Sequence, residues 1–131
     1  MKVVLDTNVL VSAILANGPP ATIADLVAGG KLRPFYNDAI ISEYWNVLHR
    51  RKFDFQSSQI DRLLNTIIRT GLAVEINTPS SFPMIDEEDR KFYDVAKTSR
   101  ATLITGNIRH FPKKSFIVTP AVFLRTYQIS N

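Results

Sequence analysis

The sequence predicts a single α/β domain: a mostly parallel central sheet of about five strands with helices on both faces. Three observations predict it. The chain has 131 residues, which suits one domain and makes two unexpected. It is 45% hydrophobic, and short apolar runs such as "KVVL" and "ATLIT" stand between longer segments patterned at helical spacing. The two kinds of segment alternate along the chain, and strands separated by helices pair in parallel.

"KVVL" reads as a buried first strand, followed by a helix from about Asn8 to Ala16. "NGPP" (Asn17 to Pro20) is a break, and the Pro19-Pro20 pair opens a second helix that ends near Gly29-Gly30. "RPFY" is a short strand, and Asp38 or Asn37 caps a third helix running to about Lys52. Ile60, Leu63, Leu64, Ile67 and Ile68 recur at i, i+3, i+4, i+7 and i+8, one buried face of a fourth helix that Gly71 stops. "LAVEI" alternates as a strand does, and "NTPSSFP" (Asn77 to Pro83) breaks the pattern again. "DRKFYDVAKTSR" is helical, "ATLIT" is a buried strand, "SFIV" is a last short strand, and Pro120 opens a helix ending near Ile129.

Composition narrows the chemistry. With no cysteine there are no disulfides, thiolate metal sites or cysteine nucleophiles. A run of only three apolar residues, Val3 to Leu5, leads to Asp6, too few for a signal peptide, and no apolar run is long enough to span a membrane. A cytoplasmic location away from membranes is therefore expected. Sixteen Lys and Arg against 12 acids give a net charge of +4, which favours polyanions or an acidic partner. The bases gather in "HRRK" (His49 to Lys52) and "IRHFPKK" (Ile108 to Lys114), and the acids in "DEED" (Asp86 to Asp89). Either basic run also reads as an ordinary solvated face.

The unusual stretch is "VVLDTNVLV", where Asp6, Thr7 and Asn8 interrupt an otherwise apolar run. All three residue types cap helices, yet one helix start needs one cap, and Val9, Leu10 and Val11 offer no capping box. In open parallel sheets ligands bind beyond the carboxyl ends of the strands. Asp6 follows the first strand and Asn107 follows "TLIT", so both belong on that rim. On a helical wheel with Phe92 at zero, Ala96 falls at roughly 40°, Asp89 at roughly 60° and Tyr93 at roughly 100°. Asp89 therefore points inward near a helix start, with Glu88, at roughly 320°, as its rival. Asp94, at roughly 200°, falls on the wet side with Arg90, Lys91 and Lys97. Glu43 lies between Ile40 and Val47 on the margin of an apolar face, and its bland reading is an ion pair with Arg50 or Arg51.

Taken together, "VVLDTNVLVSAIL", "SEYWNVLHR" and "DEEDRKFYDVAKTSRATLITGNIRHF" resemble the PIN-domain nucleases, most nearly the VapC-like ribonuclease toxins of toxin–antitoxin pairs. The resemblance runs from residue 2 to about residue 125; its strength lies in the order and spacing of motifs that are weak singly. It implies a PIN-like three-layer sandwich. It makes Asp6, Glu43 and Asp89 the catalytic, metal-holding acids, with Asn107 at a fourth position where many members carry aspartate. Thr7, Asn8 and Thr105 would support the site, with Asp94 as an outer member. It also implies Mg²⁺ or Mn²⁺, an RNA substrate cut to leave 5′-phosphate and 3′-hydroxyl ends, a small antitoxin, and a homodimer.

The chemistry agrees with the residue types. Two like charges at 4 Å repel by ~4 kcal/mol at an effective dielectric of ~20, so three converging acids protonate in part or recruit a cation. An all-oxygen set suits Mg²⁺ or Mn²⁺. Arg50, Arg51, Lys52, Arg109, His110, Lys113 and Lys114 are the candidates for holding an RNA backbone. A non-catalytic binding module with the same fold is the alternative, kept open by Asn107. An aspartyl phosphatase is disfavoured, because the second acid expected two residues after Asp6 is Asn8.

Overall fold

The computed structural model describes residues 1–130. Five strands, β1 (Lys2–Leu5), β2 (Arg33–Tyr36), β3 (Leu72–Ala73), β4 (Thr102–Ile104) and β5 (Ile117–Val118), form one sheet in the order β3-β2-β1-β4-β5. Every pairing is parallel. Six helices accompany it: α1 (Thr7–Leu15), α2 (Pro19–Ala28), α3 (Asp38–Leu48), α4 (Ser57–Thr70), α5 (Arg90–Ser99) and α6 (Pro120–Ser130). The arrangement is the expected α/β sandwich, and among the described residues no single helix is long and apolar enough to cross a membrane.

The chain order places the site. From β1 the sheet grows outward through β2 and β3, then the chain returns to the other flank of β1 with β4 and β5. Direction reverses between β1 and β4, and at such a switch point the connecting segments part and leave a crevice at the carboxyl ends. The Asp6 N–H donates to the Ile104 carbonyl at 3.0 Å, so the ends of β1 and β4 lie side by side. Val3, Val4 and Leu5 are fully buried, as are Leu103 and Ile104. These buried strands fix the rim rigidly.

Three expectations are corrected. The third helix ends at Leu48, not near Lys52. Leu48 is the last residue there with an apolar side chain in the core, and nothing in "HRRK" rewards another turn. Of "LAVEI" only Leu72–Ala73 is strand. Val74 N–H still reaches the Tyr36 carbonyl at 2.7 Å, but β2 stops at Tyr36, where Asn37 caps α3 by accepting from Ile40 N–H at 2.9 Å. Beyond that point the strand has no partner. Finally, Asp94 is buried rather than on the wet side. Ser80 N–H donates to its Oδ2 at 3.2 Å, and Arg90 clamps the same loop through the carbonyls of Ser80 and Phe82. A loop folded over the helix, invisible to a helical wheel, covers that face.

Candidate functional site

The interrupting triplet has three separate tasks. Asp6 is the residue before α1, but its side chain makes no capping bond. Its Oδ2 instead accepts from Thr105 Oγ1 at 2.7 Å and from Asn8 Nδ2 at 3.2 Å. Thr105 Oγ1 in turn accepts from Asn107 N–H at 2.9 Å, which fixes the hydroxyl proton on Asp6. Asn8 Oδ1 accepts from Gly106 N–H at 2.9 Å, tying α1 to the segment after β4. Thr7 Oγ1 donates to Glu43 Oε2. Capping thus explains none of the three side chains.

Asp6, Glu43 and Asp89 line one hollow of about 830 Å³, together with Asn8, Arg50, Asn107 and His110. Helix packing brings the two later acids there, since α3 and α5 touch each other and α5 lies against β1. Burial raises the Asp6 pKa above the usual carboxylate range, opposed by its bonds to Thr105, the Thr7 backbone and Asn8 and helped by Glu43. Burial likewise pushes Asp89 up to about 6, with the charges of Asp6, Asp86 and Glu43 adding to it and His110 opposing it. Tyr44, buried beneath with its hydroxyl on the Leu5 carbonyl at 2.5 Å, is raised by burial and then by Asp6 and Glu43. Asp89 senses both Asp6 and Glu43, and Asp6 senses Glu43, so the hollow gathers negative charge.

Sequence reasoning missed Lys91. Its Nζ sits 2.7 Å from Glu43 Oε1 and 3.0 Å from Glu88 Oε2, replacing the expected Arg50 or Arg51 as the partner of Glu43. No periodicity signals this contact, because it depends on how α3 and α5 cross. Glu88 itself is turned outward, with a side chain 79% exposed against 15% for Asp89.

The remaining candidates divide. Arg50 and His110 stand in the hollow, and His110 Nδ1 is 3.6 Å from Asp89 Oδ2. Arg51, Lys52, Arg109, Lys113 and Lys114 are exposed but do not line it. Asp94 faces the Ser80 loop instead.

The donor set can be tested for a divalent cation. Among the described residues, no three acidic or histidine side chains already converge at ligating distance. Both oxygens of Glu43 are engaged, one by Lys91 and one by Thr7. Asp89 Oδ2, however, is buried with no hydrogen-bond partner, and such an atom is costly unless something positive meets it. Oxygen donors, closely set acids and one buried carboxylate oxygen without a hydrogen bond fit a hard divalent ion.

A family model described as "PIN domain" matches residues 2–109. The uncharacterized protein MJ1680 of Methanocaldococcus jannaschii is 35% identical over 112 residues, which cover 82% of this chain and 71% of that protein. No solved structure matches the chain. PIN domains are generally nucleases and typically use divalent metals. With the family model spanning all but the last strand and helix of the fold, the chain belongs to the PIN-domain family.

Proposed function

We propose that this nuclease-type domain is a Mg²⁺- or Mn²⁺-dependent endoribonuclease, the toxin of a toxin–antitoxin pair. The observation that carries the reading is the single hollow shared by Asp6, Glu43 and Asp89 at the switch point of the sheet, with Asp89 Oδ2 buried there without a hydrogen bond. In this reading the three acids would hold the metal, and Asn107 would add its amide oxygen without adding charge. A divalent ion held there would supply acidity to a water and positive charge to offset that gathering on the phosphate. Thr105 and Asn8 aim Asp6, and Thr7 aims Glu43. Asp89 or Asp6 accepts the proton of the attacking water, and the bond from phosphorus to the 3′-oxygen breaks, giving 5′-phosphate and 3′-hydroxyl ends. Arg50 and His110 hold the adjoining phosphates, and the outer bases Arg51, Lys52, Arg109, Lys113 and Lys114 draw the strand in by charge.

Partners follow the same reading. A small antitoxin covers the acidic hollow. A homodimer forms on helical surface, for which exposed Leu15 of α1 and Val122 of α6 supply apolar contacts. The second reading, a module that binds RNA without cutting it, draws support from Asn107 and from Lys91 already engaging Glu43. Cleavage of single-stranded and structured RNAs with Mg²⁺, Mn²⁺ or EDTA separates the two. Asp6→Asn is expected to abolish metal-dependent cleavage while RNA binding persists. Unchanged cleavage by that variant removes Asp6 from the chemistry; metal-independent binding with no cleavage at all favours the module.

A further inference from the structure

Beside the acidic hollow, and sharing His110 with it, lies a second cavity of about 460 Å³. Its walls are Phe82, Met84, Tyr93 and Phe111, and Lys97 and Lys114 stand among its lining residues. No acid is among the described residues that line it. The aromatic wall is held in place. Phe82 meets Tyr93 edge to face at 4.7 Å, and the Arg90 guanidinium lies 5.3 Å from the Phe82 ring centre while its other bonds anchor the loop. Lys97 Nζ is 5.9 Å from the centre of the Tyr93 ring. An apolar, ring-lined cavity bordered by cations suits a ligand with a flat apolar face and an attached negative charge. A nucleotide has that form.

We propose that this cavity takes an unpaired nucleobase of the RNA strand whose backbone crosses the acidic hollow, with His110 at the passage between the two. The inference rests on the ribonuclease reading for the identity of the strand. The base lies against Phe82 and Met84, and Lys97 and Lys114 meet its flanking phosphates. Recognition is by stacking and charge, so it requires a single-stranded segment without dictating its sequence.

The test separates base from backbone without needing catalysis. In EDTA, the affinity of an octaribonucleotide of alternating adenosine and cytidine is compared with that of an abasic ribose-phosphate strand of equal length. The strand with bases is expected to bind about tenfold more tightly. Phe82→Leu, which keeps apolar bulk but removes the ring, and Met84→Glu, which places an anion in the cavity, are expected to cut that ratio to about twofold or less. Thermal melting of both variants checks that they fold. Equal affinity for the two strands, or a ratio untouched in both folded variants, overturns the proposal. Equal affinity together with capture of an acidic peptide by the cavity overturns it in favour of a protein partner. Base-dependent binding by a protein that never cleaves RNA supports the cavity and defeats the nuclease reading. Cleavage without base preference does the reverse.

Discussion

Asp89 should destabilise the metal-free protein. Its carboxyl is mostly buried, its Oδ2 has no hydrogen bond and faces His110 Nδ1 at 3.6 Å, and its pKa is raised from 3.8 to about 6. A carboxyl with a raised folded-state pKa binds its proton more tightly in the native chain than in the unfolded one. Its contribution is therefore fully favourable below pH 3.8 and is lost as pH rises through about 6. The shift of roughly 2 pH units corresponds to at most ~3 kcal/mol. Solvent at the open hollow screens this, leaving ~1–2 kcal/mol. Unfolding entropy for 131 residues is ~0.28 kcal/mol/K, so Asp89→Asn should raise Tm by ~4–7 °C in EDTA at about pH 7.5. Differential scanning calorimetry of both proteins between about pH 4 and 8 is the assay, with the gap narrowing as the solution is acidified below about 6. Adding Mg²⁺ or Mn²⁺ should raise Tm of the native sequence by mass action and move the variant little. If Asp89→Asn lowers stability at neutral pH in EDTA, or if the gap does not depend on pH, the reasoning is refuted.

Lys91→Met leaves Glu43 without its cation beside two other acids, and should cost ~1–3 kcal/mol in EDTA. The rise in Tm on adding Mg²⁺ should be larger than in the native sequence, since no ammonium competes for Glu43; identical melting curves would contradict this. Gly71→Ala should lower the unfolding free energy by ~1–3 kcal/mol, read as a lower denaturant midpoint with an unchanged slope. A Cβ there would lie 2.1 Å from the Pro34 carbonyl oxygen and 2.7 Å from that of Ile67, which a fully tolerated alanine would disprove. Thr105→Val removes a donor from Asp6 and the acceptor of Asn107 N–H. It should cost ~1–3 kcal/mol of stability and slow RNA cleavage, measured by urea titration and by initial rates.

Local pattern alone recovered the alternation of strand and helix, and the wheel placed Asp89 inward because Phe92, Tyr93 and Ala96 define one buried stripe. The same wheel failed at Asp94, since a loop ten or more residues upstream covers that side of α5. "LAVEI" alternated as a strand does, but a strand ends where its neighbour ends, and β2 turned into α3 too soon. Capping could not be separated from site building in "DTN", because the distinguishing partners, Glu43 and Thr105, are distant in the chain.

What the sequence determined by itself is what depends on spacing: an α/β chain, buried strands, and polar residues placed directly after two of them. Only the tertiary structure decided which charges meet. The contact of Lys91 with Glu43, the Asp89 oxygen buried without a hydrogen bond and the adjoining aromatic cavity all arise from how α5 and its preceding loop lie against the sheet and against α3. The physical reason is one of range. Periodicity fixes which way a side chain leaves its own element, whereas electrostatic and hydrogen-bond partners at about 3 Å are fixed by the packing of elements far apart in sequence.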